Sequence, residues 1–184
     1  LAMLELNPTC FTCHPKESIG QRSLADFVRG LCPDAVLSDR TVIAPRELDV
    51  WVPSKRVAVE FNGLYWHSET CLPERDYHDM KTAQAAAAGV RLFHVFEDEW
   101  RDRRPVVESM LRACLGLTSE RHDARKLSLE RLDPAALCQF FTDNHLDGFA
   151  RSEVGFGLVD GTGRVLSAAV IRRPFHRRAR AGDM

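Results

Sequence analysis

Residues Glu47 to His67 read ELDVWVPSKRVAVEFNGLYWH, and this stretch decides the fold. In Glu47–Val52 charge and bulk alternate with the period of a half-buried strand. Pro53-Ser54 is a turn signal, with Lys55-Arg56 on the bend. Along the second strand Val57, Val59 and Phe61 point one way, and Ala58, Glu60 and Asn62 the other. A hairpin of this kind sets Asp49 and Glu60 on adjacent strands. Acids among Val and Phe are costly to bury unless something pairs with them. A hard divalent cation fits, because it takes oxygen ligands and needs few of them from protein. Pairing of Glu60 with Arg56 or Lys55, and an exposed Asp49, is the alternative. Asn62-Gly63, two aromatics (Tyr65, Trp66) and His67 follow at once. Two acids, an aromatic pair and a histidine within about twenty residues suit a phosphodiester-cleaving centre.

Outward from this hairpin, the chain of 184 residues is 45% apolar and 28% charged, enough for a packed core and too apolar for disorder. No apolar run is long enough to span a membrane, and no signal peptide is visible, so a cytoplasmic or nucleoid-associated protein is expected. The leading Leu1 and the basic end suggest a chain truncated at both termini. The net charge of −1 favours no partner class, but Arg172, Arg173, Arg177, Arg178 and Arg180 crowd the C-terminus around His176. Such a run is a solvated tail or a phosphate-holding one. Of six cysteines, Cys32, Cys71, Cys114 and Cys138 stand singly, as buried thiols do. Cys10-Phe-Thr-Cys13 is half of a tetrahedral zinc site or a pair of plain cysteines.

Ser18-Ile-Gly-Gln21 resembles a capping box before Leu24, Phe27, Val28 and Leu31 at helical spacing. Cys32-Pro33 ends that helix, and residues 36–43 add an edge strand. A second helix is predicted over residues 74–88, alanine-rich at its end and closed by Gly89. Arg91–Phe96 reads as a short apolar strand, expected at the centre of the sheet. Glu97-Asp98-Glu99 opens a further helix with Val106, Val107, Met110 and Leu111 as its buried stripe, stopped by Gly116. Helix, strand, strand, helix, strand, helix defines a mixed α/β core over residues 15–117. Residues 1–14 are a CxxC knuckle or tail. Residues 118–184 form a partial α+β unit: a polar linker, a helix from Asp133-Pro134 and a hairpin around Asp160-Gly-Thr-Gly163.

The element order and four ordered motifs, ELDVWVP, VAVEFNGLYWHSE, DYHDMKT and GVRLFHVFEDEW, resemble the PD-(D/E)xK nucleases. The chain is most similar to the very-short-patch-repair (Vsr) endonucleases and their relatives, the EDxHD homing endonucleases of phages and mobile introns, over roughly residues 10–116. This resemblance implies a restriction-endonuclease-like mixed sheet flanked by helices. It implies Mg²⁺ (or Mn²⁺) held by Asp49 and Glu60, and double-stranded DNA as substrate. It implies intercalating roles for Tyr65 and Trp66, whose alternative is packing on the sheet, and an acid or base role for His67. His78 in Tyr77-His78-Asp79 matches the family's histidine, and Lys81, three residues on, shares its helix face. Asn62 stands where family members carry lysine, facing the DNA, and Gln21 stands where the leading glutamate belongs. The family's structural zinc is not expected, since Leu64 and Glu69 replace two ligands and only Cys71 remains. Residues 140–148 resemble the opening of acetyltransferase-like modules and serve to mark a boundary. The function expected is a metal-dependent DNA endonuclease; the alternative is a DNA-binding protein that keeps the fold and has lost chemistry at positions 21 and 62.

Overall fold

The computed structural model of the chain describes residues 18–63, 75–149 and 154–171. Two units separate, residues 1–117 and residues 118–184. The first is a mixed α/β unit. The Ser18 hydroxyl accepts a hydrogen bond from Gln21 N at 3.0 Å and opens α1 (Ile19–Leu31). Leu24, Ala25 and Val28 are its buried side chains.

A four-stranded sheet follows in the order β1-β2-β3-β4. β1 is short, Val36–Asp39, where a strand to residue 43 was expected. The Asp39 carboxylate ends it by accepting from the backbone N–H groups of Thr41 and Val42, both at 3.0 Å, which folds the chain into a turn. β2 (Leu48–Val52) pairs antiparallel with β1 and with β3 (Val57–Asn62). The connection is one 3₁₀ turn, residues 53–55, closed by Arg56 at φ 52°. Every residue of β3 is buried, as befits a strand covered on both faces.

α2 (Arg75–Ala87) crosses over to β4 (Arg91–Phe96), which runs parallel to β3. Strand β4 therefore lies at the end of the described sheet and not at its centre, which corrects the expectation for residues 91–96. Ala85 of α2 is fully buried with Trp51, Ala58 and Val90, so α2 covers the face that carries Trp51 and Ala58. Helix α1 covers the other face. A Cβ on Gly20 would stand 2.5 Å from Phe61 Cζ, so glycine is what lets α1 lie this close to β3.

The helix expected after β4 is broken in two, α3 (Glu97–Asp102) and α4 (Arg104–Cys114). Pro105 explains the break: its ring cannot continue a helix from the preceding turn, but it suits the first turn of a new one. Val106, Val107 and Leu111 are buried as the spacing predicts, whereas Met110 is exposed.

The second unit is a three-stranded antiparallel sheet, β5 (Ser128–Arg131), β6 (Val154–Val159) and β7 (Val165–Ile171), in that order. α5 (Pro134–Asn144) is capped by Asp133, which accepts from Ala135 N and Ala136 N. Leu137 of α5 packs on Gly155 of β6. Of the single cysteines, Cys32 is buried but Cys138 is exposed, against the expectation of a buried thiol. No helix among the described residues is long and apolar enough to cross a membrane.

Candidate active site

Three polar side chains are buried among the described residues: Glu60, Asn62 and Lys81, at 8%, 4% and 3% exposure. Glu60 and Asn62 lie on the face of β3 that α2 covers, and Lys81 reaches Glu60 from α2. The β2–β3 register pairs Val50 with Val59; one step further it sets Asp49 opposite Glu60, on one face of the sheet. Asp49 is half-buried, and its Oδ2 accepts a hydrogen bond from Phe61 N at 2.8 Å. That bond fixes the carboxylate at the end of the hairpin ladder.

Glu60 takes the Lys81 ammonium on Oε1 as a buried ion pair. Its other oxygen, Oε2, is buried with no hydrogen-bond partner. Burial pushes the Glu60 carboxyl up to about 7, and the neighbouring Asp49 charge pushes the same way; Lys81 and the Asp49 backbone N–H pull against them. The pairing with Lys55 or Arg56 weighed from sequence does not form. Arg56 instead donates to the last carbonyls of the α2 turn, from Nη2 to Ala88 O at 2.7 Å and from Nε to Gly89 O at 2.9 Å.

The parallel β3–β4 register places His94 beside Glu60. Asn62 Nδ2 lies 3.2 Å from His94 Nδ1, and Thr82 Oγ1 lies 2.9 Å from His94 Nε2. Burial holds the His94 ring below the usual imidazole range, with the His78 and Lys81 charges acting in the same direction. His78 is half-buried, and its ring stands edge-on to His94 with centroids 5.7 Å apart. Two cations stand over the Tyr77 ring, Arg46 at 5.7 Å and Lys81 at 6.0 Å from its centroid.

The structure thus brings Asp49, Glu60, Asn62, His78 and Lys81 together where α2 meets the sheet. Tyr65, Trp66, His67, Cys10, Cys13 and Cys71 lie outside the described residues, as does the arginine-rich stretch from 172 to 180. Among the described residues no group of three or more His, Cys, Asp or Glu side chains forms a ready-made metal site. His94 and Thr82 were not read as site residues in the sequence. The available signal was a polar residue inside the apolar strand that follows Arg91, His94 on the same alternation as Leu92 and Phe96. Comparison with family models, with curated proteins and with solved structures gives no match to this chain.

Proposed function

We propose that the first unit is a Mg²⁺-dependent DNA endonuclease of the PD-(D/E)xK type, similar to the Vsr and EDxHD homing enzymes. One observation carries this reading: the buried polar side chains of the described chain gather at Glu60, which sits beside Asp49 with one carboxylate oxygen left without a hydrogen bond. A packed α/β core does not need this arrangement. Left as it is, it costs free energy, since a buried carboxylate is stable only when its oxygens are satisfied.

Asp49 and Glu60 fit a magnesium or manganese ion, with the Phe61 carbonyl as a third oxygen. Mg²⁺ asks for only one or two protein carboxylates and keeps water and phosphate oxygens for the rest. When bound, the ion supplies charge neutralisation at the phosphate and activation of a water. The chain's own residues do the remainder. Lys81 holds Glu60 in place and brings a fixed positive charge to the site, where the family's lysine would have come from position 62. Asn62 offers a neutral amide to the phosphate. His78 and His67 are the groups able to move a proton at neutral pH. Tyr65 and Trp66 are assigned to the duplex, where aromatic wedges unstack a base step.

A supercoiled plasmid tests the reading. The wild type should nick or cut it with Mg²⁺ and not with EDTA. Asp49→Ala should slow nicking by about a thousandfold, or ~4 kcal/mol of transition-state stabilisation, with the melting temperature kept. Unchanged activity in Asp49→Ala would refute the assignment. A second reading is favoured by Asn62 and Gln21, which leave two positions of the family pattern without charge. It is a DNA-binding protein without catalysis, shown by duplex binding with no cleavage under any divalent metal.

A further inference from the structure

We infer that His94 is a positioning residue of this site, holding the Asn62 amide in one orientation and tying it to α2 through Thr82. The inference rests on the endonuclease reading and adds to it a residue to which the resemblance assigned no chemical role.

The hydrogen-bond geometry sets the ring's state. With the Asn62 amide turned so that Nδ2 meets the ring, His94 Nδ1, 3.2 Å away, is its acceptor and carries no proton. The ring proton then sits on Nε2, which donates to Thr82 Oγ1 at 2.9 Å. The imidazole is therefore a neutral link with one acceptor and one donor end. Those ends reach two elements, the C-terminal end of β3 and the middle of α2. His94 itself belongs to β4, so the link joins three pieces of structure at one point.

The consequence for Asn62 is definite. A side-chain amide is nearly symmetric in shape, and a buried one can be flipped to present oxygen or nitrogen. The amide orientation that turns Nδ2 to the ring and the Nε2–H form of the imidazole go together, so the ring holds the amide that way round. Asn62 lies two residues after Glu60 on the same face of β3, so its orientation is set next to the carboxylate. The charged groups that act on the ring come from α2: Lys81 and His78, whose ring stands at 5.7 Å, act one way and the Asp79 carboxylate the other, while Glu60 is its register neighbour on β3. No carboxylate hydrogen bond competes for either ring nitrogen among the described residues.

Three single variants and one double variant of the full chain test this. Single-turnover and steady-state nicking of supercoiled plasmid in Mg²⁺ is the readout, with melting temperature as the check on folding. His94→Leu should lower kcat roughly 10- to 100-fold while KM for the plasmid stays unchanged, the size expected when a reacting group loses its placement. His94→Asn keeps a short acceptor for Asn62 Nδ2 and should recover most of that loss. Asn62→Ala should cost as much as His94→Leu, and the double variant no more than either alone, because one acts through the other. Multiplicative losses in the double variant, or no rescue by asparagine, would overturn the role of His94 while leaving the nuclease reading intact. A wild type that binds plasmid but never nicks it would overturn that reading first, and the inference with it. Nitrogen NMR of the imidazole gives a check independent of activity: the Nε2–H form is expected, and a ring protonated at Nδ1 would contradict the assignment.

Discussion

Glu60 and Lys81 are oppositely charged and both nearly out of water, and each makes the other's burial tolerable. Breaking such a pair costs more than the pair contributes, because the survivor is a lone buried charge. Lys81→Met should therefore destabilise the protein by about 3–5 kcal/mol at pH 8. The pH dependence follows from the direction of the Glu60 shift. Its carboxyl is raised from an ordinary 4.5 to about 7, so in that window the folded chain holds a proton that the unfolded chain has lost. Stability thus falls as pH rises from about 4.5 to about 7 and levels off above. In Lys81→Met the carboxyl loses its counter-charge and rises further, so the fall should extend to higher pH. Glu60→Gln removes the titrating group and should flatten the curve between pH 5 and 7. Thermal melts at half-unit steps of pH would show this. A Glu60→Gln curve that still falls across the window would assign the effect to another group.

At the scale of elements, α2 matters because it carries His78, Lys81 and Thr82 over the sheet. Its far end is held by Arg56, which bonds the carbonyls of Ala88 and Gly89 from the hairpin turn. Arg56→Ala leaves those carbonyls to water and should cost about 1–2 kcal/mol in a denaturant melt. No loss in that melt would mean that water replaces the guanidinium without penalty. The hairpin, the Ser18 cap and the second helix were legible in the sequence because each is encoded locally, by alternation, by a capping hydroxyl or by a run of helix formers. Other features were not local. Residues 91–96 are apolar enough for a central strand, yet what decides their place is what pairs beyond them, which no window of six residues contains. Pro105 did signal a boundary, but the acids at 97–99 and the stripe at 106–111 read as one helix across it. β5 was missed because Ser128–Arg131 is exposed throughout and carries one apolar residue, Leu129, too few to show an alternation, and its place is set by antiparallel pairing with β6. His94 was missed because its meaning lies in the parallel register that sets it beside Glu60.

Across the whole molecule, a net charge of −1 gives no general attraction for a polyanion. Any DNA affinity must come from local charge, and Lys81 is too deeply buried to act as a phosphate tether at the surface. The second unit, residues 118–184, has its own sheet and capped helix, and the residues of the proposed site all come from residues 1–117. Everything proposed for that site depends on Asp49 and Glu60 sharing one divalent ion. Manganese titrated into the full chain, followed by electron paramagnetic resonance at pH 8, measures this most directly. One bound ion per chain is expected, lost in both Asp49→Asn and Glu60→Gln while the fold persists. No bound manganese in the wild type, or binding that survives both substitutions, would contradict the account.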